Sequence, residues 1–261
     1  MLGFLHAFNP RPQSSKTDLM QTNRGPGGGN MIFPNRTEAG RRLALRLRDY
    51  ANRKDVIVLG IPRGGVPVAF EVARMLKAPL DVLVLRKLGV PGHEELGFGA
   101  IASGGIRVLN PQIVEALRIS PGDIELVTNR EARELKRREQ AYRGRRPALN
   151  IRGQTVIVVD DGIATGSGMR AAIDALREMK PARIVVAVPV APPSTCDHLR
   201  SEADDLVCLE TPEAFYGVGQ FYFDFSQISD YEVNELLDRA AREIDEQNHS
   251  PAEVAAIEDA T

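Results

Sequence analysis

Short runs of β-branched and aliphatic residues recur along the chain and alternate with segments whose apolar residues repeat every three to four positions. Such apolar runs are typical of strands buried on both faces of a parallel sheet. The predicted strands are residues 56–60, 80–85, 156–159, 183–190 and 205–210. The intervening helices are predicted at 37–50, 68–77, 169–179 and from Pro192 onward. This alternation predicts a doubly wound α/β sheet of about five parallel strands, with ligands bound at the carboxyl ends of the strands.

The stretch between the second and third of these strands follows a different pattern. Residues 90–99 are punctuated by Gly and Pro and predict a mobile loop. Short strands are predicted at 100–102 and 106–109, and Asn110 begins a short helix. A longer helix opens with Ser120 as its cap and Pro121 in its first turn and runs to about residue 142, and Ser229 caps a last helix to about residue 246.

Two adjacent carboxylates, Asp160 and Asp161, follow the most apolar strand, and a loop of small residues at 162–168 leads into the next helix. A glycine-rich loop at a helix N-terminus offers NH groups and a favourable dipole to an anion, and hydroxyls at Thr165 and Ser167 add donors. Carboxylates repel phosphate, so the acids must serve a neighbouring group, such as a sugar diol. Two other interpretations of the acid pair are open. The acids could merely cap the next helix, or they could bind magnesium in a phosphotransfer receiver site, although such a site has no need of the small-residue loop.

A second strand, loop and helix unit carries Arg63, Gly64 and Gly65 after the strand at 56–60. A cation in such a loop suits a more highly charged anion than a single phosphate. The alternative is a tight turn with a solvent-exposed arginine.

Composition narrows the classes of function. The formal net charge is -2, and the arginines of the helix at 121–142 alternate with glutamates, so neither nucleic acid nor an anionic membrane is expected as a partner. Cys196 and Cys208 lack metal-site spacing, and no apolar run approaches the ~20 residues that span a bilayer. A cytoplasmic protein is expected. Residues 1–30 are predicted to be a disordered tail, and 247–261 a loose one.

The strand, acid pair and Thr-Gly-Ser loop together resemble the phosphoribosyl pyrophosphate (PRPP) motif of the type I phosphoribosyltransferases. The resemblance extends over residues 33–241 and is closest to a group of uncharacterised bacterial phosphoribosyltransferases. It implies one α/β domain at 31–246, with a small hood subdomain around 211–228 that receives the nucleobase. Gly162 departs from the more usual aliphatic residue, and Gly168 from a common Thr.

The resemblance assigns roles to the loops. Asp160 and Asp161 would hold the ribose hydroxyls, and the 5-phosphate would bind to Ala164, Thr165, Gly166, Ser167 and Gly168. Arg63, Gly64 and Gly65 would hold pyrophosphate with Mg²⁺, which the substrate binds itself, with Asp160 or Asp161 contacting the ion at most through water. A cis peptide bond between Pro62 and Arg63 is also expected from the family.

Other residues receive roles from the same resemblance. Arg86 and Lys87 would be catalytic cations that reach the pyrophosphate, partly from a neighbouring subunit, so a homodimer is expected. The mobile loop would close over the reacting centre. His93 could act as an acid or base or be idle, and Glu94 and Glu95 are equally open.

The acceptor of the phosphoribosyl group would be a nucleobase-like molecule near an aromatic run at 215–225. Phe215 and Tyr216 could stack on the base, or these rings could instead cover the edge of the sheet. Ala164 stands where 6-oxopurine enzymes of the family usually carry an Asp base, which argues against hypoxanthine-guanine salvage but leaves adenine, orotate, uracil and xanthine open.

The rival function is a non-catalytic PRPP-binding regulator, but such proteins usually carry a DNA-binding domain, for which the residues before Val56 are too few. A non-catalytic scaffold would leave both phosphate loops unexplained.

Overall fold

The protein, described at residues 32–144, 146 and 149–248 in a computed structural model, contains eight strands and seven α-helices within that part of the chain. The strands are β1 Val56–Gly60, β2 Leu80–Val82, β3 Leu85–Val90, β4 His93–Ala102, β5 Ile106–Leu109, β6 Thr155–Val159, β7 Arg183–Val190 and β8 Asp205–Glu210. The helices are α1 Arg36–Arg46, α2 Gly65–Leu76, α3 Pro111–Ala116, α4 Pro121–Arg143, α5 Ser167–Glu178, α6 Pro193–Glu202 and α7 Asp230–Asn248. The predicted tail at 1–30 and most of the one at 247–261 lie outside the described residues.

Five parallel strands form the central sheet in the order β2-β1-β6-β7-β8, which confirms the predicted α/β fold. Strand β6 lies in the middle, and all five of its residues are buried. Its register with β1 pairs Val56 with Thr155 and Gly60 with Val159. Because the two strands end level with each other, the loops that follow them emerge side by side.

Helices cover both faces of this sheet. Alternate residues of β6 point to opposite sides: Ile157 and Val159 pack with α1 and α2, whereas Val156 and Val158 pack with α5 and α6. Burying each such aliphatic side chain stabilises the fold by roughly 1.5–3 kcal/mol. The central sheet is therefore a rigid support for whatever its carboxyl ends carry.

A second sheet, β3-β4-β5, is antiparallel and corrects the prediction of a loop at 90–99. Strands β3 and β4 form a hairpin whose pairing shifts register beside Gly89. The glycines that read as loop punctuation allow close contact between strands: a Cβ on Gly89 would lie 2.6 Å from the carbonyl oxygen of Glu94. The predicted strand at 80–85 is likewise divided between β2 and the start of β3.

Helix ends follow the predicted caps with one exception. Ser120 and Ser229 accept hydrogen bonds from the NH of the third residue of their helices, as predicted. Asn110, which was predicted to begin α3, caps that helix in the same way. Helix α1, however, is capped by Asn35, whose side chain accepts from the NH of Glu38 at 2.9 Å, rather than by Thr37. The shift places Arg36 inside the first turn of the helix.

The segment at 211–228 packs over one end of the central sheet as an irregular strap with a single 3-10 turn, Val218–Phe221. Phe221 and Tyr222 are buried with Phe33, which forms a parallel bridge to Tyr222. These rings cover the sheet, as one of the two interpretations predicted. Within the described part of the chain, none of the helices combines the length and apolar character needed to cross a membrane.

Candidate functional site

The loops after β1 and β6 meet at the carboxyl edge of the central sheet. A Cβ on Gly65 would lie 2.7 Å from the carbonyl oxygen of Val159 and 2.9 Å from the Cα of Asp160. A Cβ on Gly64 would collide with the carboxylate of Asp161. Glycine at both positions is what allows the two loops to touch, so the structure brings together the two groups of residues that the sequence singled out separately.

Each acid of the pair uses one carboxylate oxygen inside the protein. Asp160 Oδ1 accepts a hydrogen bond from the NH of Asp161 at 2.9 Å, and Asp161 Oδ2 accepts from the Nε of Arg36 at 2.8 Å. Among the described residues, no donor reaches Asp160 Oδ2 or Asp161 Oδ1. No fully buried side-chain nitrogen or oxygen in that part of the chain lacks a partner, so both of these oxygens reach solvent. The pair therefore presents two acceptors, one from each residue.

Burial raises the pKa of both acids above the usual range of aspartate. The pKa of Asp160 is raised well above that range by desolvation and then by the neighbouring charge of Asp161. The pKa of Asp161 is raised by desolvation, and its hydrogen bond to Arg36 opposes that rise. Two carboxylates held this way cost free energy in the folded protein, and residues kept at such a cost are candidates for function.

The loop at 164–168 is an open cradle of NH groups at the start of α5. Gly166 adopts a φ of +79° as the residue before the helix, a conformation that favours glycine. Thr195 supports the loop from α6 by donating its hydroxyl to the carbonyl oxygen of Ala164 at 2.8 Å. The hydroxyls of Thr165 and Ser167 lie 3.3 Å apart on the exposed side. No described residue accepts a hydrogen bond from the NH groups of 164–168, so they remain available to an anion.

The two departures from the family pattern have different physical settings. A Cβ on Gly162 would lie 2.6 Å from Cγ1 of Val218 and 3.0 Å from Cγ1 of Val190, so glycine there makes room for the 211–228 strap. Nothing lies within 4 Å of a Cβ on Gly168. Gly168 is therefore not required by packing.

The loop after β1 carries its cation outward. The Pro62–Arg63 peptide is cis, as predicted. The exposed side chain of Arg63 forms a long ion pair, 3.8 Å, with Asp230 at the start of α7. The NH groups of Arg63 and Gly64 donate to no described acceptor, so the backbone of this loop is open beside the acid pair.

Arg86 and Lys87 are engaged elsewhere. Arg86 donates from Nε and a terminal nitrogen to one oxygen of Glu131 on α4, at 2.8 and 2.5 Å. Lys87 donates to the carbonyl oxygen of Glu95 across the hairpin at 2.9 Å. No hydrogen bond or ion pair between described residues joins either cation to the acid pair or the 164–168 loop. His93 and Glu94 are exposed near the hairpin tip.

The aromatic run divides between packing and exposure. The ring of Phe215 packs on that of Phe221, with centroids 5.1 Å apart, whereas Tyr216 is 93% exposed. Tyr222 donates its hydroxyl to the carbonyl oxygen of Asp161 at 2.5 Å and thereby fixes the backbone of the acid pair.

Two residues of the site, Arg36 and Tyr222, were missed from the sequence. Their contacts join positions 125 and 61 residues apart. The one signal for Tyr222 was its place in the aromatic run at 215–225. Arg36 was missed because the helix was predicted to begin at Thr37.

Residues 31–226 match the family described as the phosphoribosyl transferase domain. A Mycobacterium tuberculosis protein named "Putative phosphoribosyl transferase" is 46% identical over 215 residues, which cover 82% of this chain and 48% of that protein. The chain thus spans about half the length of this relative. The crystal structure of TT1426 from Thermus thermophilus superposes with a TM-score of 0.71 at 41% identity, covering 79% of this chain and 98% of that one. The Bifunctional protein PyrR of Chloroflexus aurantiacus is 35% identical over 133 residues, which cover 49% of this chain and 66% of that protein.

Proposed function

This chain belongs to the phosphoribosyltransferase family, and we propose that it uses PRPP and Mg²⁺ to transfer a phosphoribosyl group to a nitrogenous base. In this reaction the bond between C1 of ribose and the pyrophosphate oxygen breaks. A bond from C1 to a base nitrogen forms, that nitrogen loses its proton, and pyrophosphate leaves. The observation that carries the proposal is the pair of open carboxylate oxygens beside a loop of unpaired NH groups.

The two open oxygens suit the two neighbouring hydroxyls of a ribose. Asp160 Oδ2 and Asp161 Oδ1 are acceptors without described donors, and a vicinal diol supplies two donors. Hydrogen bonds to a charged carboxylate contribute roughly 1.5–3 kcal/mol each. Neither phosphate nor a helix cap would account for both oxygens, because phosphate is repelled and the first NH groups of α5 are not bonded to either acid.

The two loops suit the two charged ends of the same substrate. The cradle at 164–168 would receive the 5-phosphate, with the hydroxyls of Thr165 and Ser167 as further donors. The NH groups of Arg63 and Gly64 would face pyrophosphate on the other side of the acids. The ion pair of Arg63 with Asp230 is long and exposed, so exchanging it for pyrophosphate costs little.

Mg²⁺ would neutralise the leaving pyrophosphate when it is bound. Within the described residues there is no group of three or more His, Cys, Asp or Glu side chains that could hold a metal ion. This donor set fits an ion that is held mainly by the substrate, with Asp160 or Asp161 contacting it through water. The residues of this chain would then act by positioning ribose and by stabilising charge, rather than by covalent catalysis.

The test is calorimetric titration of PRPP with Mg²⁺ into the wild type and into the Asp160→Asn, Asp161→Asn double variant. Asparagine keeps the size of each side chain and removes the charge. We expect the double variant to bind PRPP at least about tenfold more weakly, from the charge-assisted hydrogen bonds lost.

A matched control replaces two exposed aspartates that make no described contact with the acid pair or the 164–168 loop, Asp49→Asn and Asp197→Asn, which changes the net charge by the same amount. Equal affinity in the wild type and the acid-pair variant would overturn the assignment. Equal weakening in both double variants would show that only the overall charge matters.

The acceptor base is open to a panel of adenine, orotate, uracil and xanthine, with pyrophosphate release as the readout. Ala164 is exposed and cannot act as a base, which disfavours hypoxanthine and guanine. Of the two aromatic candidates, the exposed ring of Tyr216 is the one available for stacking, whereas Phe215 already packs on Phe221. A homodimer remains a prediction, to be checked by light scattering.

A second candidate, a PRPP-binding regulator without catalysis, is favoured by one observation. The cations assigned to catalysis, Arg86 and Lys87, are occupied by Glu131 and Glu95. PRPP binding without pyrophosphate release for any base in the panel would support this function over the transferase.

A further inference from the structure

Arg36 is a buried arginine in the first turn of α1, only 8% exposed. Its Nε donates to Asp161 Oδ2 at 2.8 Å, and a terminal nitrogen donates to the carbonyl oxygen of Ser226 at 2.9 Å. The guanidinium carbon lies 3.9 Å from the centre of the Phe225 ring. One planar group thus contacts the acid pair and the end of the 211–228 strap at the same time.

These contacts fix which oxygen of Asp161 is presented to the site. A carboxylate can rotate about its last bond, and a single donor directed at Oδ2 stops that rotation and leaves Oδ1 open. The guanidinium itself cannot rotate, because Ser226 holds its other arm and Phe225 holds its face. A guanidinium suits this task better than an ammonium, because it has donors at fixed angles and a flat surface that stacks on a ring.

The strap is joined to the acid pair by further contacts on the same side. Tyr222 donates to the carbonyl oxygen of Asp161, and the NH of Phe223 donates to the carbonyl oxygen of Phe33 at 2.9 Å. The NH of Asp224 donates to the carbonyl oxygen of Pro34, also at 2.9 Å. The start of α1 and the strap therefore form one unit around Asp161.

We infer that Arg36 is a positioning residue, which orients the open oxygen of Asp161 toward a ribose hydroxyl and ties that orientation to the 222–226 part of the strap. The inference rests on the proposed function, since it requires a ribose at the acid pair. It adds a residue and a coupling to that site: a change in the strap alters ribose binding through Arg36.

The test compares two ligands in Arg36→Lys, which keeps the positive charge but cannot donate at both angles. PRPP carries the ribose hydroxyls, and inorganic pyrophosphate does not. We expect the variant to bind PRPP with Mg²⁺ about tenfold or more weakly, as for a lost charge-assisted hydrogen bond, and pyrophosphate as tightly as the wild type does. A purely structural defect would weaken both ligands.

Arg42→Lys is the matched control. Arg42 lies on the same helix, donates to the carbonyl oxygen of Ile32 and stands 5.5 Å from the ring of Phe33, yet it makes no contact with Asp161. We expect it to leave the affinity for both ligands unchanged.

Phe225→Leu is a second test of the positioning role, for use if Arg36→Lys does not fold. It removes the ring beneath the guanidinium and leaves both acids in place. We expect it to weaken PRPP selectively, by less than Arg36→Lys does.

Unchanged PRPP affinity in Arg36→Lys, or equal losses for PRPP and pyrophosphate, would overturn the positioning role. If Arg36→Lys does not fold, the same outcomes in Phe225→Leu would overturn the positioning role. A wild type that fails to bind PRPP at all would overturn the proposed function itself, so the two failures are distinguishable.

Discussion

Asp160 illustrates at the scale of one residue how a site is kept at the expense of stability. Its pKa is raised in the folded protein, whereas in the unfolded chain it lies near the ordinary value of about 3.9. At pH values between the unfolded and the native pKa of Asp160, the native state binds more protons than the unfolded state. The stability that the protonated Asp160 contributes is therefore lost as the pH rises through the native pKa. Asparagine does not titrate and can still accept the hydrogen bond from Asp161. We therefore expect Asp160→Asn to raise the melting temperature at pH 7.5 while weakening PRPP binding.

The pH dependence makes this prediction specific. The gain in melting temperature should shrink as the pH approaches 4, where the native carboxyl is protonated and its burial cost has gone. For a chain of this size, each kcal/mol in the free energy of unfolding shifts the melting temperature by roughly 2–4 °C. Scanning calorimetry at several pH values will therefore resolve the trend. A gain that is constant with pH would show that the charge of Asp160 is not what destabilises the native state.

Gly64 is the residue at which the two loops are most tightly fitted. A methyl group there would meet the Asp161 carboxylate, which Arg36 holds in place and which cannot easily move aside. We expect Gly64→Ala to weaken PRPP binding by displacing Asp161, in addition to the roughly 1–3 kcal/mol of folding stability that overpacking typically costs. Calorimetric titration is the measurement. Gly122→Ala in the first turn of α4, where the nearest atom is 3.7 Å away, is the control and should bind as the wild type does.

At the scale of elements, the hairpin of β3 and β4 is the element that we expect to open most readily. Its tip at 91–96 is exposed, and its pairing shifts register twice, whereas β6 is bonded to β1 and β7 along its whole length. Amides in exposed, irregular strands open at lower free energy than those of a central strand. We expect hydrogen exchange without ligand to be much faster at 91–96 than at 156–159, and to slow at 91–96 when PRPP and Mg²⁺ are added.

The turn at Arg152–Gly153 provides an internal reference for that measurement. It is exposed but precedes β6, at the edge of the sheet opposite the site. Its exchange should be insensitive to PRPP. Protection at 91–96 equal to that of β6 before any ligand is added would contradict a closing hairpin.

The same elements show what could be predicted from the sequence. The bounds of β1, β7 and β8 were predicted residue for residue, because each contains an uninterrupted apolar run, which in β8 is bounded by the acids Asp205 and Glu210. The hairpin was missed because its glycines, which allow close strand contact at Gly89 and Gly99, look like loop punctuation. In the site, the local motifs at 160–168 and 63–65 were predictable. Arg36 and the occupation of Arg86 by Glu131 were not, because they depend on contacts between distant parts of the chain.

At the scale of the whole molecule, the two cysteines report on opening of the fold. Cys196 is 1% exposed, and burial together with the neighbouring Cys196 raises the pKa of Cys208 to about 12. Because the thiolate is the reactive form, both should be labelled slowly by a thiol reagent at pH 8, and mainly through opening of the fold around α6 and β8.

A ligand that binds only the folded state lowers the population of such open states. If that opening is global, saturation with PRPP at 100 times its dissociation constant should stabilise the protein by about 2.7 kcal/mol and slow labelling about a hundredfold. In denaturant both thiols should react rapidly, and this end point of two labelled cysteines per chain calibrates the assay. Fast labelling of Cys208 in the native protein would show that β8 opens locally at the sheet edge. A rate that PRPP leaves unchanged would show that this opening is not coupled to the loops after β1 and β6, on the other side of β7.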